Sequence, residues 1–251
     1  MREYFHTHQA ALAIAAIVAC VAVALAIPSF AFGAGTGDDP TPTADILSPH
    51  EAAKKARLEL DEKTPAKPGG VTPMITDAPY RYLYTPSHKQ ETGYWCGPAT
   101  CQVIDDYHGA YVSQTTYARA MGTSSAGTDF TRVDDCLRAY TSKPYYYYGG
   151  LTDSGFLSRV SDSILNHTMP LAADLKILAS VWPNYNYNHD GHIVPIEGFD
   201  WRFGTIRLND VFNEADYYGG GGSTFGHATY DWPVVWNGVY NHFRRAVVSA
   251  P

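Results

Sequence analysis

Residues 79–251 predict an α+β domain whose helices come first and whose strands come last, and three observations carry that prediction. Apolar residues recur at helical spacing between about Pro98 and Tyr140. Two strand-like runs follow, His192-Ile-Val-Pro-Ile-Glu-Gly-Phe199 and Thr205-Ile-Arg-Leu-Asn-Asp210, joined by Asp200-Trp-Arg-Phe-Gly204 as a hairpin. With 251 residues, 45% hydrophobic and 17% charged, the chain can bury one substantial core, so one domain plus tails is expected.

The elements can be taken in order. Gln90-Glu-Thr-Gly-Tyr-Trp-Cys96-Gly-Pro98 leads into a helix whose stripe is Ala99, Val103 and Tyr107, four apart. Pro98 suits the first turn, where its missing N–H leaves nothing unpaired, and Gly109 suits the left-handed residue after the helix end. Ser113 opens a short helix to Met121. A turn-rich loop around Gly127 precedes a helix through about Tyr140, with Val133, Leu137 and Tyr140 at spacings of four and three. Ser154 to about Asn166 reads as a further helix and Met169 to Leu175 as a strand, with Pro170 tolerated at its start. After the hairpin, Gly219–Gly222 reads as a loop, Ala228 to about Asn241 as a helix with Trp232 and Trp236 four apart, and Ala246–Ser249 as a closing strand.

The amino-terminal third is different in kind. Ala10 to Ile27 are 18 consecutive apolar or small residues, followed by Ala31-x-Gly33, a small-x-small cleavage site. Residues 1–34 are therefore expected to be a signal peptide or an uncleaved membrane anchor, and the product secreted or attached to the cell envelope. Ile17-Val-Ala-Cys20 has the look of a lipid-modification box, but the apolar run continues past it. Residues 35–78, rich in Gly, Pro, Thr, Asp and Lys, read as a flexible linker. Within it Ser48-Pro-His-Glu51 is a capping box that opens a short charged helix.

Net charge is −7 with no basic cluster, so nucleic acid is not an expected partner, and a membrane is expected only through the amino-terminal segment. A monomer is expected. Tyr145–Tyr148 and Tyr185–Tyr187 are candidate groove aromatics, although tyrosine is also an ordinary strand residue.

The chemistry centres on Cys96. At a helix N-terminus the orphan N–H groups and the positive end of the helix dipole favour a thiolate, the form that attacks carbonyl carbon. A buried structural cysteine is the plain alternative. In the predicted hairpin His192 and Asp210 lie equally far from Trp201, so in or near register they are cross-strand neighbours on one face, at the ends of an inward row with Val194, Ile196, Ile206 and Leu208. Asn209 is the other candidate orienting residue. Pro195 lies inside the histidine strand, where it removes a ladder donor and predicts an unpaired edge or a distorted hairpin.

Gln-x5-Cys-Gly-Pro-Ala at Gln90–Ala99, with Gly191-His192 opening a strand and Asn209-Asp210 ending one, resembles the bacteriocin-leader-peptidase-like branch of the papain-fold cysteine peptidases, over roughly residues 80–250. The resemblance implies a papain-like fold and a thiol peptidase of peptide or protein substrates without a cofactor. It implies Cys96 as nucleophile, His192 as its base and acid, Asp210 as the orienting residue and Gln90 as oxyanion donor. Cleavage after paired glycines, a property of such peptidases when fused to a transporter, is not carried over. The other readings are a non-catalytic binding module on the same fold and a cysteine acyltransferase or cell-wall amidase.

A metal site would need His189-Asp-Gly-His192 with Cys96, Cys101 and Cys136. Cys96 and Cys101 lack the short spacing of structural zinc pairs, so no metal is expected. In an exported domain the three cysteines allow a Cys101–Cys136 disulfide beside a free Cys96, or two buried thiols. Asn166-His-Thr168 is a formal glycosylation sequon without expected consequence.

Overall fold

The computed structural model describes residues 80–251. The apolar segment at 10–27, the linker and its Ser48 capping box lie outside the described residues. The described chain is α+β: strands β1 (Tyr80–Tyr82), β2 (Tyr146–Tyr148), β3 (Leu171–Ile177), β4 (His189–Asp200), β5 (Thr205–Asp210), β6 (Gly226–Asp231) and β7 (Val247–Ser249) form one antiparallel sheet in the order β2-β7-β3-β4-β5-β6. β1 pairs with the far end of β4, at Gly198–Asp200.

The central strands are buried on both faces, and that explains their unbroken apolar runs. Ala172 of β3, Ile193 of β4 and Val248 of β7 face helices α1 (Cys96–Tyr107), α2 (Gln114–Met121) and α3 (Val133–Thr141), against Ala99, Val103, Tyr117 and Leu137. Leu171, Ala173, Leu175, Val194 and Ile196 face the other way, onto Phe156 and Val160 of α4 (Asp153–Ser161) and Val235 and Val239 of α6 (Trp232–Asn241). A short helix α5 (Glu214–Tyr217) lies between β5 and β6.

The helix ends follow the local sequence. Gly109 closes the first helix with φ of +80°, and Gly122 closes the second with +68°. The Ser113 side chain accepts from Thr116 N and that of Thr152 from Gly155 N, each capping the helix it precedes.

Several expectations are corrected. Ala228–Asp231 is strand, not helix: β6 pairs residue for residue with β5, and α6 begins only at Trp232, with Pro233 in its first turn. The helix expected to run to Asn166 ends at Ser161 and passes into one wide π turn, Asp162–Asn166. Tyr145 is buried, donating from its hydroxyl to Pro170 O at 2.8 Å, and so is no groove aromatic, while Tyr146–Tyr148 are a half-buried edge strand. Of the two arrangements open to Cys101 and Cys136, the structure has buried thiols and not a disulfide. Burial, then the neighbouring Cys136, pushes the Cys101 thiol up.

The hairpin register also differs from the symmetric one. Phe199 pairs with Ile206 and Ile196 with Leu208, and there the β4–β5 ladder stops. Pro195 lies just beyond that end, where a missing donor costs least, and the ladder partner of His192 is Leu175 of β3 rather than Asp210.

Candidate active site

The first helix starts at Cys96 itself. Its first intrahelical bond runs from Ala99 N to Trp95 O at 2.9 Å, so the N–H groups of Cys96 and Gly97 precede the ladder. Gly97 lets this end seat closely. A Cβ there would come within 2.7 Å of Thr128 Cβ, Cγ2 and Oγ1, and Thr128 is fully buried. One turn along, Thr100 Oγ1 donates to Ile193 O at 2.9 Å, which fixes the helix against the His192 end of β4. Cys96 is buried in the same cluster as Ile193 and Val211, the sequence neighbours of His192 and Asp210.

His192 Nε2 lies 2.8 Å from Asp210 Oδ1, with both side chains buried. An ionised carboxylate only accepts, so Nε2 carries the proton of that bond. His192 Nδ1 is buried with no hydrogen-bond partner. Asp210 Oδ1 also accepts from Phe212 N at 2.9 Å, and Oδ2 accepts from the Tyr185 hydroxyl. The Phe212 ring stands edge-on to His192, with centroids 6.0 Å apart, and stacks on Tyr217 at 5.1 Å.

The pair meets because β5 has already left the ladder, which frees Asp210 to reach diagonally toward the start of β4. A second irregularity helps. Leu175 pairs with His192 but Ile177 with His189, so β4 carries one extra residue between its histidines. Residues three apart on a regular strand face opposite ways, and the bulge restores a common side. His189 Nε2 accordingly meets a second carboxylate, Glu214 Oε1, at 2.9 Å. Burial acts to raise the Glu214 carboxyl, but the amides of Gly222, Asn186 and Tyr187 and the His189 imidazole together hold it below the usual range. The two histidines thus engage separate carboxylates, which is not the convergent geometry of a shared metal.

Gln90 arrives on an extended strap. Leu83 N donates to Glu197 O, Thr85 N and Oγ1 to Glu197 Oε2, and Gln90 N to Val211 O, each at 2.8 Å. Asn209 Nδ2 donates to Thr85 O and Pro86 O at 3.1 Å, so Asn209 holds the strap while Asp210, one residue on, holds His192. Gln90 is buried, and its Nε2 donates to Thr92 O at 2.7 Å. Backbone contacts at Ile193 and Val211 thus bring Cys96 and Gln90 to the sheet end where His192 and Asp210 touch directly.

The sequence profile described as the peptidase C39-like family matches residues 82–228, more than half of the chain. This chain belongs to the peptidase C39-like family. Its fold is the papain-like one, helices packed on an antiparallel sheet, and family and fold support a peptidase-like function. Solved structures similar to this C39-like chain include a protein described as a C39-like peptidase from Bacillus anthracis, at 9% identity and a TM-score of 0.48, covering 67% of this chain and 96% of that one. Another is a double-glycine-motif protease from an AMS/PCAT transporter bound to its leader peptide, at 15% identity and 0.42, covering 67% and 91%. A third is the peptidase domain of Streptococcus ComA, at 10% and 0.41, covering 67% and 99%. No curated protein matches.

Three residues around this C39-like site escaped the sequence reading. Phe212 follows Asp210 by two, a spacing that alone says nothing. Glu214 is one of many acidic residues. Tyr185, expected as a groove aromatic, is 3% exposed, whereas Tyr187 is 41% exposed.

Proposed function

We propose that this chain is a cysteine peptidase whose nucleophile is Cys96, with His192, Asp210 and Gln90 completing the machinery. The observation that carries the reading is the buried His192 Nε2–Asp210 Oδ1 hydrogen bond of 2.8 Å, with Nδ1 left unengaged at the end of the sheet where α1 begins. Nδ1 is the nitrogen available to take the Cys96 proton. The thiolate attacks the scissile carbonyl carbon, the imidazolium protonates the departing amine, and a water deprotonated by the same ring releases the acyl group from sulfur. Asp210 fixes the ring tautomer throughout. The backbone N–H of Cys96, at the helix N-terminus, and the second N–H of the Gln90 amide are the donors to the oxyanion.

The deciding experiment is iodoacetamide alkylation at Cys96 across pH, resolved by peptide mapping, in the wild type and in His192→Ala. An ion pair gives rapid labelling down to about pH 5–6 and a midpoint that returns toward ~8.5 in the variant. A midpoint near ~8.5 in both proteins refutes the reading. With a cleavable peptide from a library screen, Cys96→Ala should be inactive and Gln90→Ala slower by about 10²–10³.

Substrate class follows the family and is a peptide or protein. Export is part of the same proposal, and rests on the apolar run Ala10–Ile27 and the Ala31-x-Gly33 site. No helix among the described residues is long and apolar enough to cross a membrane.

A further inference from the structure

We propose that Tyr185 is a positioning residue for the Cys96–His192 chemistry: its hydroxyl holds Asp210 by the oxygen that His192 does not use, so that tyrosine, carboxylate and imidazole form one buried relay. The inference rests on the peptidase reading above.

Asp210 has two oxygens and three donors. Oδ1 accepts from His192 Nε2 and Phe212 N, and Oδ2 accepts from the Tyr185 hydroxyl. A carboxylate held only at Oδ1 can turn about its Cβ–Cγ bond and carry the imidazole with it. Donation at both oxygens fixes its plane, and with it the direction of the His192 ring. Tyr185 suits the task because burial, then the Asp210 charge, pushes its hydroxyl well above the ordinary tyrosine range, so it keeps the proton it donates. Its ring is clamped edge-on by Trp182 at 6.1 Å and by His189 at 5.4 Å. The residues immediately after it are clamped as well: Asn186 N and Tyr187 N donate to Glu214 at 2.8 and 2.9 Å. The second His–carboxylate pair therefore tethers the loop that carries Tyr185.

The test is a double-mutant cycle on the Cys96 alkylation rate at pH 6, using Tyr185→Phe, Asp210→Ala and both together, with thermal melts to confirm folding. Removing one hydrogen bond to a charged group should slow labelling about tenfold in the wild-type background and leave the Asp210→Ala background, which has no acceptor for Tyr185, unchanged. Equal slowing in both backgrounds, or none in either, overturns the inference. The His192 Nε2–H proton resonance, assigned by its loss in His192→Ala, gives a readout that needs no reactivity at Cys96. Tyr185→Phe should move it, and an unmoved resonance overturns the relay. If the wild type labels no faster than His192→Ala, the peptidase reading fails, whereas a normal wild type with a flat cycle sinks the Tyr185 role alone. Should Tyr185→Phe not fold, 3-fluorotyrosine at 185 keeps the shape, strengthens the donor and must shift the same resonance.

Discussion

At single residues the clearest consequence outside the site concerns Asp105, in the last turns of the helix that Cys96 begins. Burial pushes its carboxyl up to about 7, against the opposing donation of Tyr117 OH and Val112 N. The folded chain binds that proton more tightly than the unfolded chain, whose carboxyl titrates near ~4. Between about pH 4 and 7 the native state holds more protons, so this group's contribution falls as pH rises. His108 acts in the opposite sense. Burial, then Lys143, lowers it to about 4, so its contribution rises with pH up to ~6.5. The two are separated by comparison with Asp105→Asn, which keeps an acceptor for Tyr117 and Val112 but cannot ionise. Melting curves should show wild-type Tm falling relative to this variant as pH goes from 5 to 8, and parallel curves would remove Asp105 from the account.

Among the elements, two close approaches can be tested by adding one methyl group. In α6 a Cβ at Gly238 would lie 2.8 Å from Trp182 Cζ2 and 3.3 Å from Leu175 Cδ2, both on fully buried side chains. Alanine gains about 1 kcal/mol of helix propensity over glycine, while overpacking a core costs about 1–3 kcal/mol. Gly238→Ala should therefore be destabilising, as read by chemical denaturation. Gly97→Ala meets Thr128 at 2.7 Å and has little room to yield. It should displace the start of α1 and slow Cys96 alkylation more than it lowers Tm. The α5 region depends on Glu214 as a hub for its four donors, Asn186 N, Tyr187 N, Gly222 N and His189 Nε2. Glu214→Ala leaves the buried His189 imidazole and three part-buried amides without their acceptor, so a loss of about 1–3 kcal/mol is expected, with protease nicking near residues 184–188 as its local sign.

At the scale of the described residues, one sheet with a helical layer on each face leaves stability to packing rather than to cross-links. The three described cysteines form no disulfide, so a reducing agent should leave Tm unchanged. Thiol titration in guanidinium also tests export. The full chain has 4 cysteines, of which Cys20 falls in the expected signal, so cleavage leaves 3 titratable thiols and a retained anchor 4. Cys101, whose thiol is pushed up by burial, should label far more slowly than Cys96 in the native state, which gives the alkylation map an internal contrast.

The sequence by itself determined whatever depends on near neighbours. Pro98 and Gly109 bracket the first helix, Cys96 falls at its N-terminus, Ser113 caps the second, and strand parity separates Asp210 from Asn209. The motif from Gln90 to Ala99 pointed to the family. Only the tertiary structure decided where β5 leaves β4, that an extra residue in β4 turns His189 and His192 to one side, and that Ala228–Asp231 pairs as a strand. Those outcomes depend on the ladder each segment finds, and hydrogen-bond partners distant in sequence leave no period to read. The same holds for Tyr185, Phe212 and Glu214. Their contacts come from segments folded over the sheet end, two loops and the short α5, where a tyrosine 25 residues before Asp210 becomes its donor.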